Sequence, residues 1–219
     1  MKSASKILNK VQQTLHFSTD LKVREVQFFD TQLFIVYIAP LTDNNLLSES
    51  VIKPLVEFNQ ELEGDVYTFI QEQVLANNEV KGQNNIEEFI TEILQGRAGI
   101  IFDKTGELLT CDVEKIVVRP IQEPPSSAVI KGPREGFNES LKYNLSLIRH
   151  KLPTPNLVID TFSVGKYTNT QVAVIYLQDI ADKNVVKEVE RRISKIKIDG
   201  VVDSYYISAY LQSKPQSIF

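Results

Sequence analysis

The chain runs to 219 residues, 42% hydrophobic and 24% charged, with 24 Lys and Arg against 28 Asp and Glu for a net charge of −4. This is the profile of a soluble globular protein long enough for one large domain or two modest ones, and its acidic balance argues against the phosphate-tracking basic surface from which nucleic-acid binders draw most of their affinity. The longest apolar runs, Leu33–Leu41 and Val172–Leu177, are far short of the roughly 18 residues that a bilayer span requires.

The first sixteen residues place Ile7, Leu8, Val11 and Leu15 at helical spacing, which predicts an amphipathic helix. They lack the apolar stretch and small-residue cleavage site of a secretory signal. "LKVREVQFF" and "LFIVYIAPL" follow, β-branched and aromatic, with Asp30-Thr31 between them; they read as a hairpin. In "TDNNLLSESVIKPLVEF" a Thr-Asp-Asn cluster is set to cap the free N–H groups of a new helix, which Pro54 must kink, shorten or break. "DVYTFIQEQVLANN" and "NIEEFITEILQG" are helical by period, the second ending at Gly96, where a left-handed cap costs little. "AGIIFDKTGELLTCDVEKIVVRP" then gives strand, turn, strand and a further extended piece. Cys111 has no second cysteine to pair with and reads as a packing residue, in keeping with a reducing compartment.

Pro120, Pro124, Pro125, Ser126 and Ser127 interrupt regular structure, so a linker at 121–128 is expected between an N-terminal subdomain, 1–120, and a C-terminal one, 129–219. Beyond it comes a helix with Leu141, Leu145, Ile148 and Leu152 on one face. The strands "NLVIDTFSV" and "QVAVIYL" follow around a Gly-Lys-Tyr-Thr-Asn-Thr turn, then the helix of "DIADKNVVKEVERRISKI". Helix, hairpin, helix thus recurs. Without a gap, "VYIAPLTDNNLL" at 36–47 lies over "IYLQDIADKNVV" at 175–186, matching Asp43 with Asp182 and Asn45 with Asn184. This reads as an internal duplication, although strand-to-helix turns favour Asp and Asn in any protein. The expected fold class is α/β in two subdomains, each a small mixed β-sheet packed with helices. "SYYISAYL" fits either period.

Candidate chemistry centres on "VIKGPREGFNESLKYNLSLIRHKL", residues 129–152. Two glycines allow unusual backbone angles and Pro133 stiffens a turn that presents Arg134, Glu135 and Phe137, and Asn138-Glu139 then suits the first turn of the helix. One reading is an anion or partner contact in which Arg134, or Arg119, receives a carboxylate. The other is a rigid interdomain turn, because no Gly-Lys-Ser/Thr ending makes it a phosphate loop. No zincin, nucleophile-elbow, dinucleotide or Cys-x-x-Cys signature occurs. His16 and His150 are isolated, and Asp199 and Asp203 read as solvated acids beside a turn. No cofactor, metal or catalytic residue is expected, and the chain does not read as an enzyme.

The same stretch, followed by "TNTQVAVIYLQDIADKNVVKEVERRISKIKIDGVVDSYYI", resembles the N-terminal soluble region of the A subunits of bacterial spore germinant receptors. The likeness is specific over about residues 128–211 and loose before them, and it departs at His150, at Lys166-Tyr167 and at Tyr205, where the family favours other residues. The resemblance implies a non-enzymatic domain of a nutrient receptor. Its partners would be a transporter-like B subunit, a lipoprotein C subunit and a membrane-spanning continuation of its own chain, in the spore inner membrane. The absence of an export signal favours the cytoplasmic side. Two roles follow: assembly and signal transmission through Arg134, Glu135 and Phe137, or capture of a small germinant in a cleft between the subdomains, with Arg134 or Arg119 on its carboxylate.

Overall fold

Two long hairpins, each driven by β-branched and aromatic residues, organise the computed structural model, which describes residues 3–59, 61–62, 64–75, 79–115 and 136–212. The chain divides into two compact units, residues 1–11 with 21–154 and residues 12–20 with 155–219. Sequence places the change at 121–128, which lies outside the described residues. The division by contacts instead gives the helix after that segment to the first unit and residues 12–20 to the second.

Helix α1 (Ser3–Thr14), whose residues up to Val11 belong to the first unit, buries Ala4 and Val11. Strand β1 (Leu21–Phe28) pairs with β2 (Thr31–Ile38) over eight residue pairs. The turn is Phe29-Asp30 rather than Asp30-Thr31: Thr31 pairs with Phe28, and Phe29 takes the strained positive φ of 48°. With β3 (Val80–Gln83), β4 (Ala98–Phe102) and β5 (Leu108–Cys111), these strands form one sheet in the order β1-β2-β4-β5-β3. Every pairing in it is antiparallel, so the α/β architecture expected from sequence stands without a mixed sheet. Helices cover both faces. Ala98, Ile100 and Phe102 of β4 join the cluster of Leu47, Val51, Leu55, Phe69 and Ile70. On the other face α5 (Ile86–Leu94) lays Phe89 so close that a Cβ on Gly99 would sit 2.2 Å from its ring. Buried Cys111 belongs to the first cluster, and burial pushes its thiol up to about 12.

Pro54 does not break its helix. The run passes from α2 (Asn44–Leu47) through a wide π turn, Ser48–Ile52, into α3 (Lys53–Glu57), with Lys53 N–H reaching back five residues to the Ser48 carbonyl. The widening falls where proline can supply no N–H to the ordinary ladder. A second such run joins α4 (Val66–Phe69) to a π turn at Ile70–Val74. Strand β3 escapes sequence reading, because Lys81-Gly82-Gln83 are poor strand formers. It is held from outside: Arg97 Nη2 donates to the Glu79 carbonyl at 2.7 Å, and Gln83 Nε2 donates to Thr110 Oγ1 at 2.8 Å. The unit closes with α6 (Leu141–Lys151).

The second unit repeats the hairpin. Strand β6 (Leu157–Val164) pairs with β7 (Thr170–Leu177) over eight residue pairs, antiparallel, as a two-stranded sheet. Helix α7 (Lys183–Ser194) packs Val189 and Ile193 against Phe162, Val164, Val172 and Val174, and α8 (Ser204–Leu211) resolves the ambiguous "SYYISAYL" as helix. Arg192 joins the two helices, donating to the Leu211 carbonyl at 2.6 Å and to Glu188 Oε1 at 2.8 Å. The β6–β7 turn folds onto the Ile198–Val201 segment through Lys166 N–H to the Ile198 carbonyl at 2.9 Å and Val201 N–H to Thr168 Oγ1 at 3.1 Å.

In each unit the helix after the hairpin starts at an aspartate cap: Asp43 accepts from Asn45 N–H at 2.8 Å and Asp182 from Asn184 N–H at 2.7 Å. Asp43→Ala and Asp182→Ala are each expected to cost about 1 kcal/mol, read as an earlier midpoint in urea denaturation.

Candidate functional site

Of the residues singled out from sequence, Phe137 is described, while Arg119, Arg134 and Glu135 lie outside the described residues. Phe137 is 71% exposed, a large apolar side chain presented at the mouth of α6. The segment behind it is fixed by a clasp. Asn138 N–H donates to Asn144 Oδ1 at 2.8 Å, and Asn144 Nδ2 donates back to the Asn138 carbonyl at 2.7 Å. Asn138 Oδ1 also accepts from Ser140 N–H at 2.8 Å. Asn138 and Glu139 precede the helix and do not form its first turn as expected, and Ser140 is the N-terminal cap, with its Oγ accepting from Tyr143 N–H.

Farther along α6, Arg149 is fully buried and the bulkiest side chain so enclosed among the described residues. A guanidinium keeps its charge in any environment, so this position is committed to a compensated cation at the end of the helix where its dipole is negative. His150 Nδ1 stands 3.9 Å from Glu114 Oε1, and His16 Nε2 is 3.5 Å from Asn156 Oδ1; both keep peripheral polar company. Asp203 is the cap of α8, accepting from Tyr205 N–H at 2.9 Å, and the Asp199 carbonyl accepts from Tyr167 N–H at 2.8 Å.

A cluster that sequence reasoning missed lies in the second unit. Tyr176 Oη on β7 donates to Asp160 Oδ2 on β6 at 3.1 Å, and Glu190 of α7 feels the charge of the same aspartate. Burial first, then the Asp160 charge, raises the Glu190 carboxyl above its usual 4.5. Burial and then Asp160 push the Tyr176 phenol up to about 12. A cavity of about 170 Å³ adjoins it, lined by Tyr176, Gln178, Lys183, Val186, Lys187 and Glu190 among others. Burial and the neighbouring Asp160 charge thus both disfavour ionisation of Glu190. The available signal was Asp160, the one charge inside "NLVIDTFSV". Among the described residues no group of three or more His, Cys, Asp or Glu side chains is placed to hold a metal ion, and no helix is long and apolar enough to cross a membrane.

Comparison with known proteins gives a consistent set of relatives. The family described as Bacillus/Clostridium GerA spore germination protein matches residues 9–219. Spore germination protein KA of Bacillus subtilis (strain 168) is 34% identical over 99% of this chain and 40% of its own length; spore germination protein GerQA of Bacillus cereus is 33% identical over 98% and 42%. The chain therefore spans well under half of each. The fold is shared with the crystal structure of the N-terminal domain of the A subunit of the Bacillus megaterium spore germinant receptor GerK3, with TM-score 0.68 and 22% identity over 94% of this chain and 76% of that one.

Two expectations follow from the buried charges. Folded chain holds the Glu190 proton more tightly than unfolded chain, a contribution present in full below the unfolded value and lost as pH rises through the raised folded one. Thermal melts of Glu190→Gln should therefore gain on the parent as pH is taken from about 4 to about 7; parallel curves would refute the raised Glu190 carboxyl. Arg149→Ala should lower stability by about 3 kcal/mol, because it leaves a cavity and strands whatever compensates the cation, measured by chemical denaturation.

Proposed function

The chain belongs to the Bacillus/Clostridium GerA spore germination family, and from that premise we propose that it works as the N-terminal domain of a germinant receptor A subunit, a non-enzymatic part that assembles with the rest of the receptor and passes on its signal. The observation that carries this reading is the extent of the match, which takes in residues 9–219 and so includes both hairpin units. The fold shared with a germinant receptor A-subunit domain supports it. In this reading the partners are the remainder of the receptor polypeptide and its companion subunits at the spore inner membrane. Arg134, Glu135 and Phe137 make the contact to them.

That contact suits the chemistry available. An exposed phenylalanine on a clasped segment offers a rigid apolar anchor at small entropic cost, and an adjacent Arg-Glu pair gives polar specificity around it. Assembly is favoured over germinant capture because Phe137, in the described part of this segment, presents an exposed apolar ring.

Spores producing the Arg134→Ala or Phe137→Ala protein should germinate slowly on the receptor's nutrient and hold less assembled receptor, read by loss of refractility and by immunoblot of inner membranes. Normal receptor level with normal germination would reject the contact. Saturable thermal stabilisation of the 219-residue chain by an amino acid or a sugar would assign it germinant capture instead.

A further inference from the structure

An open sheet edge is a template for another strand, and proteins blunt theirs with charges, proline, bulges or brevity. The edges here are treated unequally. Strand β1 carries Lys22, Arg24 and Glu25, and β3 is four residues long with Lys81 and Gly82. One edge of the second sheet is covered by its own unit: Thr19 N–H donates to the Ile159 carbonyl at 2.9 Å, Ser18 Oγ accepts from Ile159 N–H at 2.9 Å, and Thr19 Oγ1 accepts from Thr161 N–H at 3.1 Å. The other edge is β7, "TQVAVIYL", eight residues with no charge, no proline and no glycine.

Strand β7 pairs with β6 and with no other strand among the described residues. Gln178 N–H donates to the Asn156 carbonyl at 2.9 Å, and that bond continues the ladder in register. Alternation along an antiparallel pair then turns the peptide groups of Thr170, Val172, Val174 and Tyr176 toward β6. Those of Gln171, Ala173 and Ile175 face outward. The next outward carbonyl, of Leu177, is already occupied, accepting from Ile180 and Ala181 N–H at 3.1 and 2.8 Å. The internal repeat sharpens the contrast: β2, which stands in the first hairpin where β7 stands in the second, has its outer edge filled by antiparallel β4.

We propose that the edge of β7 is a self-association site, where a second copy of this chain adds its own β7 antiparallel to make a four-stranded sheet β6-β7-β7-β6. The three outward residues select the register. With the two-fold axis at Ala173, Gln171 of each copy faces Ile175 of the other, every outward peptide group except Leu177's is paired, and the smallest side chain lies on the axis. A closed two-fold contact uses each edge once and stops growth. Charge agrees with the choice of occupant: a strand without charges cannot repel itself, and this register brings the turn carrying Lys166 to the end of the other copy that leads into Asp179. Such pairing would operate whether or not the chain serves in germination.

Sedimentation equilibrium of the 219-residue chain should show a concentration-dependent dimer of the 24.9 kDa monomer. Ala173→Pro removes only an outward N–H, which an edge strand tolerates, and should weaken the dimer about tenfold or more while far-UV circular dichroism stays unchanged. Ala173→Cys tests the register without burdening the fold, since directly paired residues bring Cα atoms about 5.5 Å apart, within disulfide reach. Oxidation should link two copies, with buried Cys111 taking no part. The proposal fails if the chain is monomeric at every concentration, if a folded Ala173→Pro variant dimerises as the parent does, or if Ala173→Cys does not cross-link. Amides of Ala173 and Ile175 protected from exchange in a monomer would mean that the chain covers this edge itself, and would also overturn it.

Discussion

A carboxylate set five residues beyond the last paired strand position, at Asp43 after Ile38 and at Asp182 after Leu177, turns each hairpin into its helix. The side chain accepts from the N–H two residues ahead, satisfying one of the donors that a helix start leaves bare. It thereby fixes where the chain stops being a strand. Had either helix begun a residue earlier or later, its apolar stripe would rotate by about 100° and lose the sheet it covers. Both cores, the one around Val51 and Leu55 and the one around Ile193, depend on that timing.

Much of this was legible because it is local. Strand alternation, the two aspartate caps, the helical stripe of α1 and the cap at Gly96, whose φ is +96°, are each written within a few neighbouring residues. What escaped is what depends on distant partners. Strand β3 exists because β5, remote in sequence, pairs with it, with Thr110 accepting from the Gln83 side chain and Arg97 holding the Glu79 carbonyl just before it. The π turn before Pro54 is one of several ways to accommodate a proline, and packing of Val51, Ile52 and Leu55 selects it. Allocation of residues 12–20 to the second unit rests on Ser18 and Thr19 meeting Ile159, about 140 positions away.

The candidate site divides in the same way. The glycines and proline of Gly-Pro-Arg-Glu-Gly-Phe suggest a turn whose first four residues lie outside the described ones, while the clasp that follows it needs Asn144, six residues beyond Asn138. The Asp160, Tyr176 and Glu190 cluster unites two strands and a helix, and no spacing rule predicts that convergence. Arg149 gives the sharpest instance: in sequence it is one more cation near a helix end, where bases are ordinary, and only the fold reveals it as interior.

The debt that β6 owes to residues 18 and 19 runs against the direction of synthesis. The N-terminal piece of the second unit leaves the ribosome first and must wait for roughly 140 further residues before its strand emerges, whereas domains generally complete themselves in order as they appear. The first unit is therefore free to mature while the second remains an unfinished hairpin. A fragment begun at residue 21 would lack the groups that cover the outer edge of β6.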